Sequence, residues 1–166
     1  MKSNPELIAE LKTQFKKDYN EEPEFIIRAP GRVNLIGEHT DYNEGFVLPF
    51  AIDKAIYIAL RSRPDQTVKV RSLDFDTRLG FSLDKLSLEK GWSAYVQGMA
   101  WALQELGYET NGWEGMSISN LPMGSGLSSS AALEIAVAQA FSAVGGWDWD
   151  GVKMAEAAKK LENEWL

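Results

Sequence analysis

The sequence lacks the residues from which disulfides and most zinc sites are built. It contains no cysteine, and His39 is the single histidine among its 166 residues. Disulfides and thiolate metal sites are therefore excluded, and zinc is not expected, because Cys and His are its usual ligands. Long apolar runs are also missing, since polar residues interrupt Leu127–Val144, and the N-terminus has no signal-peptide core. We therefore expect a cytoplasmic protein with no membrane-spanning segment.

Basic residues are outnumbered by acidic ones. The chain has 24 Asp and Glu against 17 Lys and Arg, which gives a net charge of −7 at pH 7. Clustered bases are needed to hold a phosphate backbone, so no nucleic-acid partner is expected. Apolar residues make up 45% of the chain and charged residues 25%, which are values typical of a globular domain. The sequence therefore predicts a single domain over residues 1–166.

Periodic patterns predict where helices and strands lie. Ser3 and Glu6 mark a helix start, and apolar spacing after them predicts a helix over Asn4–Tyr19. Other helices are expected at Trp92–Leu106, Leu127–Val144 and from near Asp150 to the chain end. Strands are expected at Phe25–Ile27, Phe46–Leu48, around Ile56–Leu60, Val68–Val70 and Leu79–Leu83, and at Met116–Leu121. Strands followed by helices on one core predict an α+β fold with a mixed, largely antiparallel sheet.

A polar segment lies between two apolar runs near the N-terminus. Gly31–Tyr42 reads G-R-V-N-L-I-G-E-H-T-D-Y. Glu38 and Asp41 can accept hydrogen bonds from sugar hydroxyls, and Arg32 can stabilise negative charge that develops during phosphoryl transfer. The same residues also suit a polar turn with a structural histidine and an ion-pair cluster. Residue chemistry alone leaves both interpretations open.

A second marked segment joins a predicted strand to a predicted helix. Leu121–Ala132 reads L-P-M-G-S-G-L-S-S-S-A-A. Glycine lets the backbone approach a ligand, and a helix N-terminus presents unpaired N–H groups that attract phosphate. The segment lacks the lysine of a P-loop, and Ser129 stands where a dinucleotide fingerprint needs glycine. The alternative is a capped core helix that uses glycine only to turn.

Both segments resemble motifs of one kinase family. Gly31–Tyr42 resembles the signature of galactokinases, and Pro122–Ala132 resembles the phosphate-binding motif of the wider GHMP family of small-molecule kinases. Mevalonate and homoserine kinases resemble the second motif but lack G-E-H-T-D-Y. The resemblance extends from Phe25 to Leu166. It implies a ribosomal-S5-domain-2-like N-terminal lobe of a two-lobed kinase, which phosphorylates galactose at the C1 hydroxyl with ATP and Mg²⁺.

The resemblance also implies roles for individual residues. Arg32 matches the arginine that stabilises the transition state. The sugar-binding positions match Glu38, His39 and Asp41, with Thr40 between them offering mainly its backbone. The loop that cradles the nucleotide phosphates matches Gly124, Ser125, Gly126, Leu127, Ser128, Ser129 and Ser130. Ser130 also matches a magnesium ligand, and Glu162 matches its carboxylate partner.

The sequence departs from the family pattern at its end. Galactokinases continue to a G-I-M-D-Q-like stretch, whose aspartate is the proposed base, and then to a second lobe, and nothing in 1–166 matches either. We therefore expect an N-terminal fragment that is inactive alone, exposes the apolar tip Trp165-Leu166 and self-associates through the open lobe interface. The alternatives are a kinase for N-acetylgalactosamine, galacturonate or arabinose, a non-catalytic galactose sensor, and a scaffold that binds nothing.

Overall fold

The computed structural model describes residues 2–37, 45–122 and 126–166. In these ranges the chain forms α1 (Asn4–Tyr19), β1 (Phe25–Asn34), β2 (Pro49–Ser62), β3 (Thr67–Ser72), β4 (Thr77–Ser82), α2 (Trp92–Glu105), β5 (Trp113–Ser119), α3 (Ser129–Gly145), α4 (Gly151–Lys160) and a π-helical turn (Leu161–Trp165). None of these helices is long and apolar enough to cross a membrane.

The five strands form one mixed sheet in the order β1–β2–β5–β3–β4. The pairs β1–β2, β2–β5 and β3–β4 are antiparallel, whereas β3 and β5 run parallel. Helix α1 packs on one side of the sheet, and α2, α3 and α4 pack on the other. The predicted α+β fold with a mixed, largely antiparallel sheet is confirmed.

Strand β2 separates two apolar clusters. Tyr57 packs in the cluster that includes Leu11 and Phe15 of α1, whereas Ile56 and Ile58 pack in the larger cluster with α2, α3 and α4. Successive residues of a strand point to opposite faces, so the middle of β2 is buried on both sides. This buried strand fixes the position of β1, its antiparallel neighbour, against α3.

Local signals placed the helix ends well. Helix α1 has the predicted bounds, and the Ser3 backbone N–H donates to the Glu6 carboxylate at 2.7 Å. Helix α2 ends at Glu105, two residues before Gly107, whose φ of +81° is the left-handed conformation that glycine adopts readily. Asp150 caps α4 by accepting the backbone N–H of Val152 at 3.0 Å.

The predicted strand Phe46–Leu48 is wrong, because β2 begins at Pro49. Leu48 still pairs with the end of β1: the Leu35 N–H donates to its carbonyl at 2.9 Å, and its own N–H donates to the Ile36 carbonyl at 3.0 Å. Phe46 is 100% exposed and Leu48 53% exposed, so the helices and strands of the described residues do not bury this apolar run. Alternating apolar residues become a regular strand only where neighbouring elements bury one face.

Two further elements, β5 and α3, and one packing expectation differ from what the sequence predicts. Strand β5 covers Trp113–Ser119 and excludes Leu121, whose N–H donates to the Ser119 hydroxyl at 2.9 Å. Helix α3 begins at Ser129, two residues later than predicted. At the tip, Trp165 is half-buried, because its ring stacks on Trp101, whereas Leu166 is exposed as expected.

Candidate active site

The two sequence motifs meet at the end of β1. The Arg32 backbone N–H donates to the Leu127 carbonyl at 3.2 Å, which joins the first motif directly to the second. Gly31 makes this approach possible, because a Cβ there would lie 2.4 Å from Leu121 Cδ2 and 2.9 Å from the Leu127 carbonyl oxygen. A glycine inside a strand often marks such a close approach of backbone. The contact brings together segments almost a hundred residues apart.

Arg32 itself is exposed at an irregular point of β1. The register with β2 shifts between Pro30 and Arg32, and such irregularities re-aim the side chains around them. Among the described residues no carboxylate forms an ion pair with Arg32. The predicted sugar-binding residues Glu38, His39, Thr40 and Asp41 lie outside the described residues.

The predicted phosphate loop is described from Gly126 onward, whereas Gly124 and Ser125 lie outside the described residues. Gly126 has φ +73°, and a Cβ there would meet nothing within 4 Å, so its surroundings are open. Ser128 has φ +57° and ψ +47°, a left-handed conformation that is uncommon for a residue other than glycine. Strained backbone of this kind costs about 1–3 kcal/mol and clusters at functional sites.

Ser128 sets where α3 starts. Its carbonyl accepts the Ala132 N–H at 3.0 Å, which is the first intrahelical bond. The N–H groups of Ser129, Ser130 and Ala131 therefore precede the intrahelical pattern and carry the positive end of the helix dipole. The Ser128 side chain does not cap them, so an anion can take that place.

A cavity of about 560 Å³ adjoins this helix start. Ser129 and Ser130 line it together with aromatic and apolar side chains, chiefly Phe75, Trp92, Tyr95 and Leu133. An apolar lining with a few polar groups, in this size range, is typical of small-molecule sites. A smaller cavity of about 310 Å³ beside Lys2 and Asn120 involves none of the described phosphate-loop residues.

Glu162 lies exposed on the π-helical turn that follows α4. The turn is anchored to α2, because the Trp165 indole N–H donates to the Ala94 carbonyl at 3.1 Å. Gly98 leaves the space for this contact, since a Cβ there would lie 2.6 Å from Trp165 Cδ1 and 2.9 Å from Leu161 Cγ. Single π turns inside helices frequently occur at functional sites.

Glu134 is a buried acid of α3 that the sequence did not single out as a candidate site residue. It lies in α3 four residues after Ser130, it is 1% exposed, and its carboxyl group meets a second acid, Glu162, and no basic or amide donor among the described residues. Burial raises the pKa of its carboxyl group to about 8, and the neighbouring Glu162 carboxyl group adds to the rise. The sequence contained one signal for Glu134, because it is an acidic residue inside a predicted helix that is apolar on almost every face.

Two family models match this chain. The model of the GHMP kinases N-terminal domain matches residues 94–165, which include the described phosphate loop, Glu134 and Glu162. The chain therefore contains the N-terminal domain of the GHMP kinases. The model of the galactokinase galactose-binding signature matches residues 13–62, which include Arg32 and the predicted sugar-binding residues of the first motif. The two models thus cover the two motifs that meet at Arg32 and Leu127.

Similar curated proteins indicate one family within the GHMP kinases. The galactokinase of Roseiflexus sp. is 43% identical over 158 residues, which cover 95% of this chain and 40% of that protein. The galactokinase of Thermococcus kodakarensis is 45% identical over 140 residues, which cover 84% of this chain and 39% of that protein. The chain belongs to the galactokinase family, and it spans about 40% of the length of these relatives.

Solved structures agree with this assignment. Lactococcus lactis galactokinase, solved in complex with galactose, has a TM-score of 0.87 at 34% identity and covers 95% of this chain, which spans 42% of that structure. Methanococcus jannaschii mevalonate kinase has a TM-score of 0.70 at 22% identity, with coverages of 84% and 46%. Streptococcus pneumoniae phosphomevalonate kinase, solved with phosphomevalonate and AMPPNP, has a TM-score of 0.64 at 14% identity, with coverages of 82% and 42%. The last two share the fold.

Proposed function

We propose that this chain supplies the sugar- and phosphate-binding lobe of an enzyme that transfers a phosphoryl group from ATP to the C1 hydroxyl of galactose. The observation that carries the proposal is the contact between the two motifs, where the Arg32 N–H meets the Leu127 carbonyl at 3.2 Å. A kinase must hold its acceptor and its phosphate donor next to each other, because positioning supplies much of its rate enhancement. The Lactococcus relative solved with galactose supports this choice of sugar.

The start of α3 is the proposed place of the nucleotide. The N–H groups of Ser129 and Ser130 would hold phosphate oxygens, and the aromatic part of the adjoining cavity would take the base. The loop residues Gly124, Ser125, Gly126, Leu127 and Ser128 would complete the cradle. The Streptococcus protein with the same fold was solved with an ATP analogue, which supports this assignment.

The described residues fit a magnesium ion between this loop and the π turn. Magnesium takes oxygen ligands, and Ser130 and Glu162 supply a hydroxyl and a carboxylate. The pKa of Glu134 is raised to about 8, so at neutral pH its carboxyl group holds a proton beside Glu162, and a cation would take the place of that proton. When bound, the ion would neutralise charge on the nucleotide phosphates. No three acidic or histidine side chains converge in the described ranges, so phosphate and water oxygens would complete its shell.

Arg32 and the first motif are the proposed acceptor side of the reaction. Glu38, His39 and Asp41 would hold the sugar hydroxyls, with Thr40 contributing mainly its backbone, while the Arg32 guanidinium group would stabilise charge on the transferring phosphoryl group. The family resemblance assigns the base that takes the hydroxyl proton to no residue of 1–166, and we propose that this chain alone does not turn over. We also propose a cytoplasmic location. A related sugar as substrate is the alternative, and a panel of sugars tests it on the whole enzyme.

Calorimetric titration tests this assignment. We expect the 166-residue chain to bind ADP, and we expect a coupled ADP-release assay with galactose to show no turnover. In the full-length enzyme, Gly126→Val should raise the KM for ATP far more than the KM for galactose, since its side chain would fill the open loop. Gly107→Val is the matched control, because its φ of +81° imposes similar strain away from the cavity. A chain that binds neither ADP nor galactose would contradict the proposed function.

Self-association is a further part of the proposal. Leu35, Ile36, Phe46 and Leu48 are all exposed beside the end of β1, and such contiguous apolar surface usually contacts a partner. We expect the chain to elute above its monomer mass of 18.5 kDa in size-exclusion chromatography at high concentration. Phe46→Ser with Leu48→Ser should restore the monomer. A parent chain that stays monomeric at all concentrations would refute self-association.

A further inference from the structure

We propose that Glu134 supplies a further carboxylate to the magnesium site of Ser130 and Glu162. The inference rests on the proposed kinase function and extends it to a residue that neither motif assignment includes. Three observations carry it: the helical spacing of Glu134 from Ser130, its contact with the Glu162 carboxyl group, and its burial without a basic or amide donor among the described residues.

Helix geometry places Glu134 beside the phosphate loop. Residues four apart in an α-helix lie on the same face, about 6 Å apart along the axis. Ser130 stands in the first turn of α3, where it lines the cavity, and Glu134 stands one turn further in. The Glu134 carboxyl group therefore lies on the side of the helix that presents the Ser130 hydroxyl.

The π turn brings a second carboxylate to the same place. Glu162 interacts with Glu134, although 28 residues separate them in the sequence. The contact between Gly98 and Trp165 holds this turn against α2, so the approach of the two acids is built into the packing. Two carboxyl groups this close repel each other once both are ionised, unless a proton or a cation lies between them.

Protein groups in the described ranges do not neutralise this pair. Lys160, the base nearest to Glu162 in sequence, donates to Glu164 at 2.6 Å and lies 5.0 Å from the centre of the Trp101 ring. Gln97, a buried amide of α2, donates instead to the Ser93 hydroxyl at 3.3 Å. Buried carboxylates almost always have a donor or a metal. Glu134 instead has a second acid beside it, so a cation can take the place of the proton that the two carboxyl groups share.

Metal affinity tests the proposal without relying on turnover. Mn²⁺ serves as the probe, because it binds oxygen ligands and its EPR signal reports the free ion. The 166-residue chain is titrated with Mn²⁺ at saturating ADP, and the melting temperature is followed in parallel. We expect Glu134→Gln to weaken Mn²⁺ binding at least about tenfold, as loss of a supporting group at a metal site commonly does. Its Mn²⁺-dependent rise in melting temperature should also shrink.

Matched variants show whether the effect is local. Glu162→Gln and Ser130→Ala should weaken Mn²⁺ as well, whereas Glu156→Gln, an exposed acid on α4, should behave like the parent. Glu134→Asp keeps the charge on a shorter stem, and we expect an affinity between those of the parent and Glu134→Gln. This second variant decides the question if the amide variant fails to fold.

The possible failures are distinguishable. Unchanged Mn²⁺ affinity in folded Glu134→Gln, together with losses in Glu162→Gln and Ser130→Ala, would overturn the role of Glu134 and leave the proposed function intact. ADP binding by the parent without any Mn²⁺ binding would overturn both the role of Glu134 and the magnesium assignment. If the parent binds ADP neither with nor without metal, the nucleotide site itself is refuted.

Discussion

Two buried glutamates in this chain have opposite surroundings. Glu114 lies in β5 and is 7% exposed, and Glu134 lies in α3 and is 1% exposed. Arg61 Nε donates to the Glu114 carboxylate at 2.8 Å, and Arg63 donates to its other oxygen. The carboxylate of Glu134 has no donor in the described part of the chain. The same side chain is thus fully paired in one layer of the molecule and unpaired in the other.

The pairing around Glu114 belongs to the architecture of the sheet. Arg61 stands directly across from Glu114 in the β2–β5 register, and its guanidinium group also lies 5.1 Å from the centre of the Tyr19 ring. Arg63 continues the network to Asp65 at 2.7 Å. These contacts tie α1, β2 and β5 together at one end of the sheet. The network needs no ligand to explain it.

Glu114 and Glu134 show how a buried acid that stabilises the fold differs from one that is kept for binding. A buried acid with partners on neighbouring strands is accounted for by the fold, and removing it leaves other charges unpaired. A buried acid without partners destabilises the fold, so its presence points to a group that binds later. Glu114 is therefore expected to matter for stability and Glu134 for binding. The same substitution at both sites tests this difference.

The largest effect is expected from Glu114→Gln. The amide cannot balance the two guanidinium groups, so we expect the free energy of unfolding to fall by about 3 kcal/mol, near the low end for breaking a buried ion pair. Urea denaturation followed by circular dichroism measures it. Glu156→Gln on the exposed face of α4 is the control and should change little. A loss below about 0.5 kcal/mol would show that the network contributes nothing beyond an exposed pair.

The next effect concerns the turn that brings Glu162 to Glu134. Gly98→Ala places a methyl group 2.6 Å from Trp165 Cδ1, and we expect overpacking to cost about 2 kcal/mol. Trp165 fluorescence should change, because its ring must leave the Gly98 surface. Gly80→Ala is the matched control, since the nearest atom to its Cβ would be 3.7 Å away. Equal stability of both variants would mean that the π turn is not held by this contact.

Glu134→Gln should have a third, smaller effect, and it should raise the free energy of unfolding where the two preceding variants lower it. The pKa of Glu134 is raised from its ordinary value to about 8, so the folded state holds a proton that the unfolded state releases. Stability is therefore full below about pH 4.5 and falls as the pH rises toward 8. In EDTA at pH 8, Glu134→Gln should be more stable than the parent by about 1 kcal/mol, and its pH dependence should be flatter. A parent whose stability does not fall between pH 5 and 8 would contradict this.

The smallest effect is expected at the exposed edge of the Glu114 network. Arg63 lowers the pKa of Asp65 to about 2, so this pair stabilises the fold above the ordinary pKa of aspartate and stops doing so as the pH falls toward 2. Asp65 is exposed, and solvent screens the pair. Asp65→Asn should lower the melting temperature slightly at pH 7 and not at all near pH 2. A drop as large as that of Glu114→Gln would mean that Asp65 is the structural centre of the network.

Much of the fold follows from local sequence signals. The capping residues Ser3 and Asp150 and the glycine after α2 mark helix ends because they act within one turn of the chain. The alternation of Val68 with Val70 marks β3 for the same reason. The predicted strand Phe46–Leu48 is wrong because an apolar pattern is a local property, whereas a strand also needs a layer that buries one face. No such layer covers this run among the described residues.

Some features of the candidate site were also predictable from the sequence, and others depend on tertiary packing. The glycine-rich loop and the G-R-V-N-L-I-G-E-H-T-D-Y segment were visible as chemistry in the sequence, and the family resemblance assigned their roles. The contact between Arg32 and Leu127 was not visible, because it depends on how β1 packs against α3. Glu134 appeared in the sequence only as an interruption of an apolar run, and nothing marked its lack of a partner.

The sequence by itself determined the helix ends, the strand periods and the two motifs, because dihedral preferences, capping and side-chain spacing act over a few residues. The tertiary structure alone decided the parallel pairing of β3 with β5, the left-handed Ser128 that sets the start of α3, and the different surroundings of Glu114 and Glu134. Burial and pairing depend on atoms brought together from distant parts of the chain. The sequence shows that a residue is a glutamate, but only the packed structure shows whether a donor pairs with its carboxylate.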